Sequence, residues 1–124
     1  MKRFDFNLEQ VLRWRMAMAD LRKAEALACA KAAAEAEQEV ERLRAEQIDV
    51  AREFANHPNS SISASYVAFL ERTRRRIVSA LKRVEQTRAA LKAATEKLVE
   101  ADRNAKLLEK MKETRLREWS EESA

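Results

Sequence analysis

The chain has 124 residues, with 25 lysines and arginines against 21 aspartates and glutamates, and it contains no glycine. Glycine-rich phosphate loops and two-residue β-hairpins are therefore excluded, because both need backbone that only glycine supplies. Charged residues make up 37% of the chain and aromatic residues 6%, which is typical of long helices and coiled coils. The length predicts a single domain.

One segment near the middle of the chain, residues 56–63, interrupts the helical pattern. Pro58 disfavours helix at the residue before it, and asparagine and serine side chains compete for backbone hydrogen bonds. We therefore predict an all-α fold, in which two long helices form an antiparallel coiled-coil hairpin. The first helix covers about residues 8–56, the turn about 57–64 and the second helix about 65–119.

The first helix is predicted to start with a capping box of Asn7 and Gln10 and a hydrophobic staple of Phe6 and Val11. Its contact stripe is predicted to follow spacings of three and four, with one extra residue absorbed between Ala28 and Val40. The predicted stripe is Val11, Trp14, Met18, Leu21, Ala28, Ala32, Ala36, Val40, Leu43, Gln47, Val50 and Phe54.

The second helix shows an unbroken heptad pattern that becomes polar at Lys112 and Arg115. One seam position of each heptad is predicted at Leu70, Ile77, Val84, Leu91, Leu98, Ala105, Lys112 and Trp119. The other is predicted at Thr73, Ala80, Thr87, Ala94, Ala101, Leu108 and Arg115.

A short turn makes the helices antiparallel, so the numbers of opposite residues should add to about 121 or 122. This register places the eight alanines of residues 24–36 opposite a second alanine-rich stretch, residues 89–94. The register also predicts that acidic side chains of the first helix face basic side chains of the second, which favours the antiparallel orientation of the two helices. The predicted facing sets are Glu35, Glu37, Glu39, Glu41 and Glu46, and Arg74, Arg75, Arg76, Lys82 and Arg83.

The sequence offers no arrangement of catalytic or metal-ligating residues. Its single cysteine, Cys29, and single histidine, His57, are far apart, so we expect no disulfide, metal or cofactor. We expect Cys29 to pack between helices and His57 to be a solvated turn residue. We expect no enzyme activity and no small-molecule substrate. No signal peptide or membrane span is predicted, which favours a cytoplasmic protein.

Three segments carry distinctive motifs: FDFNLEQVLRWR at residues 4–15, YVAFLER at 66–72 and NAKLLEKMKE at 104–113. All three resemble segments of the FliJ family. Phe4 to Arg15, FDFNLEQVLRWR, resembles the family's opening F-x-F-x-L-x-x-V-L-x-x-R. Asn104 to Glu113, NAKLLEKMKE, is similar to its second signature, a basic run leading into L-E-K-L-K-E, with Met111 in place of leucine. Tyr66 to Arg72 resembles the start of the family's second helix.

The resemblance implies a cytoplasmic stalk of the flagellar type III export apparatus, held at the inner membrane only through its partners. The end that carries both termini would insert into the hexameric export ATPase, FliI, and another part would contact the export gate protein, FlhA; export chaperones are further partners. The candidate ATPase-ring contacts are Arg13, Arg15, Lys106, Leu108, Glu109, Lys110, Lys112, Arg115 and Arg117. The candidate export-gate contacts are Ile48, Arg52, Tyr66, Phe69 and Arg74.

Two alternatives stay open at this point. One is a generic helical-hairpin adaptor, or the stalk of an injectisome, the related type III secretion system. The other is a nucleic-acid-binding coiled coil, which is less favoured because the predicted facing glutamates neutralise its basic patch, so no nucleic acid is expected. The residues of that patch are Arg72, Arg74, Arg75, Arg76, Lys82 and Arg83.

Overall fold

The structure, a computed structural model, describes residues 3–57 and 60–123, without the side chains of residues 60–62. Helix α1 spans Glu9–Asn56 and helix α2 spans Ser60–Ser123. No strand occurs among these described residues. The two helices pack against each other, which confirms the predicted all-α helical hairpin.

The helix bounds differ from the prediction mainly at α2. Helix α1 begins one residue later than predicted, where the backbone N–H of Leu12 donates to the carbonyl of Leu8 at 2.9 Å. The predicted turn over 57–64 is too long, because α2 already begins at Ser60. Serine suits the first turn of a helix, where backbone N–H groups lack partners within the helix. Pro58, on which the turn prediction rests, lies outside the described residues.

The contacts divide the chain into two compact units. Unit 1 consists of Met1–Ala28 and Lys92–Ala124, and unit 2 of Cys29–Leu91. Each unit contains a stretch of α1 packed against a stretch of α2.

The heptad seam of α2 is confirmed at all but one position. Arg115 is exposed, because the pattern has become polar near the end of α2 and no longer favours burial. The seam residues that are buried or half-buried are Leu70, Thr73, Ile77, Ala80, Val84, Thr87 and Leu91 in unit 2, and Ala94, Leu98, Ala101, Ala105, Leu108, Lys112 and Trp119 in unit 1.

The predicted stripe of α1 is wrong over the first part of the helix. Val11, Trp14 and Leu21 are 43%, 55% and 51% exposed. The residues that are buried or half-buried instead recur three and four apart without a skip, and they are Leu8, Leu12, Arg15, Ala19, Arg22, Ala26, Cys29, Ala33, Ala36, Val40, Leu43, Gln47, Val50 and Phe54. The seam thus keeps the same heptad frame along α1, and small or polar residues fill it where large apolar ones were expected.

The core of unit 2 is a cluster near the middle of its paired helices. It consists of Ala36, Val40, Leu43, Ala80 and Val84, with Ile77 packed against it. The side chain of Leu43 is the most enclosed apolar group, with 1% of its surface exposed. The buried hydroxyl of Thr87 donates to carbonyls of the preceding turn, at 2.8 Å to Arg83 and 3.0 Å to Val84, so a polar seam position carries no unmet hydrogen bond.

The antiparallel register is confirmed by contacts within each unit. In unit 1, Glu9 lies beside Lys112, and in unit 2 Phe54 stacks on Tyr66; both pairs fit the predicted register to within about two residues. The alanine-rich sections are buried in part, since Ala26 and Ala94 are enclosed in unit 1.

The predicted facing of acidic and basic side chains holds in part. Arg88, outside the predicted basic set, donates to Glu37 at 2.8 Å and 3.1 Å. Arg76 lies near enough to Glu39 to contribute to lowering its pKa, although the hydrogen bonds from Arg42 are the largest cause. Long side chains reach diagonally across the seam, so individual partners differ from those directly opposite.

Candidate interaction surfaces

Both terminal segments of the chain are packed together in unit 1. The rings of Phe4 and Trp119 lie 5.8 Å apart, tilted by 56°, which is a favourable geometry for two aromatic side chains. Phe6 is buried, while Val11, its expected staple partner, is largely exposed. The chain before α1 therefore packs on the hairpin through aromatic contacts and not through the predicted staple.

A charged cluster joins α1 to α2 at this end. The Lys112 ammonium lies 2.8 Å from Glu9 Oε2, and the Arg13 guanidinium lies 3.4 Å from Glu9 Oε1. The Lys112 ammonium beside the carboxylate is the main reason that the pKa of Glu9 is lowered, while partial desolvation acts in the opposite direction. The carboxylate of Glu9 thus neutralises a lysine that occupies a seam position of the other helix.

The Glu9–Lys112 pair makes part of the stability depend on pH. Because folding lowers the pKa of Glu9 below its ordinary value of 4.5, the pair stabilises the folded state above that value, and the contribution is lost as pH falls through the folded pKa. We expect Glu9→Gln to reduce stability at neutral pH and to have little effect in strong acid. Denaturant unfolding of both proteins across this range measures the difference. Glu118→Gln, a change at an exposed position of α2, is the control; a difference for Glu9→Gln that persists undiminished in acid would contradict the assignment.

All nine candidate ATPase-ring residues belong to unit 1, but they differ in accessibility. Leu108 and Lys112 are half-buried seam residues, and Glu109 is half-buried. Four of the cations are engaged: Arg13 and Lys112 with Glu9, Lys106 with Asp102 at 2.9 Å, and Arg15 with the Trp14 ring, whose centroid lies 4.9 Å from the guanidinium carbon. Of the candidate cations on α2, those that are exposed are Lys106, Lys110, Arg115 and Arg117.

The candidate gate residues do not form one surface. Tyr66 stacks on Phe54 with ring centroids 4.3 Å apart and planes within 3°, and Phe69 lines the same cleft. Ile48 and Arg74 are exposed but do not line that cleft. The heptad positions of Ile48 and Arg74 place both residues on the side of the seam opposite to Phe69. Arg52, also exposed, is likewise not among the residues that line it.

An aromatic cleft lies beside the end of α1 in unit 2. Val50 and Phe54 of α1 and Tyr66 and Phe69 of α2 line it, with His57 and Glu53 at its edge. His57 is exposed, as predicted, and its Nε2 lies 3.7 Å from Glu53. Packing of Tyr66 against Phe54 stabilises this end of the helix pair and leaves only part of each ring for another molecule.

One surface was not predicted from the sequence, and it consists of the apolar residues of α1 that lie outside the seam. Because these residues recur three and four apart, they were predicted to lie in the contact between the two helices. The continuous heptad frame was the signal that could have located the seam of α1. Counted back from Leu43 in steps of three and four residues, it leads to Leu12 and not to Val11 or Trp14. Cys29 is half-buried on that frame, in agreement with its predicted packing role.

The described residues form neither a metal-binding cluster nor a membrane-spanning helix. No group of three or more histidine, cysteine or acidic side chains within residues 3–57 and 60–123 could hold a metal ion. Neither α1 nor α2, over its described length, is apolar enough to cross a membrane.

No protein-family model, curated protein or solved structure matches this sequence. The similarity to the FliJ family therefore stays a prediction that rests on the three sequence segments.

Proposed function

We propose that this protein is a non-enzymatic coiled-coil stalk of the flagellar type III protein export apparatus. In this proposal unit 1 contacts the hexameric export ATPase, unit 2 contacts the export gate protein, and export chaperones bind the hairpin. The protein would act in the cytoplasm, at the inner membrane through these partners. One observation carries the proposal: the two FliJ-like segments, residues 4–15 and 104–113, are far apart in sequence but pack side by side in unit 1, where Lys112 contacts Glu9.

The charge of unit 1 supports contact with a protein ring. Arg13, Lys110, Arg115 and Arg117 are exposed around this end of the hairpin, and exposed cations favour a surface of acidic side chains or carbonyl groups. Unequal contact with the ring's subunits would bias which subunit closes on nucleotide, since a bound molecule shifts an equilibrium by its differential affinity for the two states. The hairpin would thus regulate the ATPase without taking part in its chemistry.

The test is the ATPase rate of the purified export hexamer with and without this protein, together with co-sedimentation of the two. We expect stimulation, and we expect Arg13→Glu with Arg117→Glu to reduce it by about tenfold, which is within the usual range of coupling energies. The matched control is Arg72→Glu with Arg75→Glu, which makes the same charge change on exposed positions of unit 2.

Equal loss in the two double variants would mean that overall charge, not the end of unit 1, governs the effect. An absence of both stimulation and co-sedimentation would contradict the ring contact. Retention of the protein on duplex DNA or RNA at physiological salt would favour the nucleic-acid alternative. That basic patch is partly neutralised, because Arg75 lies 3.8 Å from Glu71 and Arg76 lies beside Glu39.

A further inference from the structure

Helix α1 carries an exposed apolar stripe within unit 1. The stripe consists of Val11, Trp14, Met18 and Leu21, of which only Met18 is half-buried. These residues recur three and four apart, so they line one side of the helix next to the buried seam. A two-helix contact needs only a narrow apolar seam, whereas a wider apolar face is typical of a helix that packs against more than one neighbour.

Helix α2 extends this surface on the same side of the seam. Met111 directly precedes the seam residue Lys112, and Val11 directly precedes the seam residue Leu12. In an antiparallel helix pair, the positions that directly precede these seam residues lie across the seam from each other. Unit 2 shows this geometry, since Glu39 and Arg76, which precede Val40 and Ile77, line one groove. Leu107 is exposed and lines a shallow depression with Met111. The apolar face of unit 1 is defined here as Val11, Trp14, Met18, Leu21, Leu107 and Met111.

The two edges of the apolar face differ in charge. The outer edge on α1 is uncharged, since it is formed by Gln10, Ala17 and Ala24. The outer edge on α2 is basic, since it is formed by Arg103 and Lys110, which line shallow depressions together with Leu107. Arg115, at an exposed seam position, lines the same depression as Met111 and adds a third cation. Among the residues that the structure describes, no acidic side chain forms an ion pair with any of these three cations.

We propose that the apolar face of unit 1 binds an amphipathic helix of a partner protein, with acidic residues along one side of its apolar stripe. The apolar side chains of that helix cover Trp14 and Leu21, and its carboxylates lie along Arg103 and Lys110. A second copy of this chain is the poorer occupant, because its own face brings the same cations and no acid among its six residues. The proposal goes beyond the ATPase contact and needs neither the ATPase nor the gate.

Two synthetic helical peptides of about five turns test the proposal against the full-length protein. Both have the same leucine stripe; one carries glutamates along one edge and the other carries lysines there. Fluorescence anisotropy of the labelled peptides measures binding. We expect the acidic peptide to bind and the basic peptide to bind at least about tenfold more weakly.

Paired variants locate the binding surface. Trp14→Gln with Leu21→Gln should weaken acidic-peptide binding by at least about tenfold, because two buried apolar contacts are lost. Met16→Gln with Leu27→Gln changes exposed apolar residues elsewhere on α1 and should change it by less than about twofold. Arg103→Glu with Lys110→Glu should weaken the acidic peptide and strengthen the basic one, whereas Lys23→Glu with Lys92→Glu should do neither. Far-UV circular dichroism checks that each variant is folded.

Three results would overturn the proposal. The first is an acidic peptide that does not bind, and the second is equal binding of the two peptides. The third is a concentration-dependent dimer in sedimentation equilibrium that Trp14→Gln with Leu21→Gln abolishes, because the face would then belong to a second copy. None of these measurements uses the ATPase, so their failure is distinguishable from failure of the proposed stalk function.

Discussion

Leu43→Ala is expected to lower the free energy of unfolding by about 2–4 kcal/mol, because it removes a fully enclosed side chain from a packed cluster and leaves a cavity. Leu43 is 1% exposed and packs with Val40 and Val84 in unit 2. A two-helix hairpin has few other apolar groups to compensate, so the loss is a large fraction of the total stability. Urea unfolding followed by far-UV circular dichroism measures it.

The control for this change is Ile48→Ala, which removes an exposed side chain from the same part of α1. Surface substitutions usually change stability by less than about 0.5 kcal/mol. Similar losses in the two variants would mean that the cluster around Leu43 is not the core of unit 2.

Leu12→Ala is the second change with a large expected effect, and it decides between the two seams considered for the start of α1. In the structure Leu12 is 4% exposed and Leu21 is half exposed. Removing the Leu12 side chain should cost about 2–4 kcal/mol, whereas Leu21→Ala should cost less than about 0.5 kcal/mol. The same urea experiment compares the two variants.

The comparison is well matched, since both positions are leucine, both lie inside α1, and leucine and alanine are both good helix formers. The stripe predicted from the sequence gives the reverse order, with Leu21 in the contact and Leu12 outside it. A larger loss for Leu21→Ala would therefore overturn the observed seam in unit 1.

The helices themselves could be predicted because their signals are local. Residues 8–56 and the heptads from Leu70 to Trp119 contain neither glycine nor proline, and a sustained heptad pattern specifies which side of a helix is buried. The bounds of α2 were less predictable. Serine is compatible with both a turn and the first turn of a helix, so the residues after Pro58 did not define the start at Ser60.

The seam at the start of α1 was not predictable from hydrophobicity alone. Two frames compete there, one through Val11 and Trp14 and one through Leu12, Ala19 and Ala26. The first has the larger apolar side chains, but the second continues the frame set by Val40 and Leu43. The structure follows the second frame, because a shift of the heptad frame would rotate the contact side of α1 away from α2.

The candidate sites were predicted unevenly for a related reason. Sequence placed the nine ring residues in one unit, because antiparallel pairing brings the two chain ends together. It could not tell which cations were already engaged, as Arg13 is with Glu9, because that depends on side-chain geometry. The candidate gate residues lie on different sides of the helix pair, with Phe69 on one side and Ile48 and Arg74 on the other.

The core contains more alanines than larger apolar side chains, and this affects how the stability depends on temperature. Among the side chains that the structure describes, six of the eleven buried apolar ones are alanines, namely Ala26, Ala33, Ala36, Ala80, Ala94 and Ala105. Each exposes little hydrocarbon when the chain melts, and the heat-capacity increment of unfolding scales with the apolar area newly hydrated. We therefore expect a flat stability curve, in which the free energy of unfolding depends only weakly on temperature near its maximum.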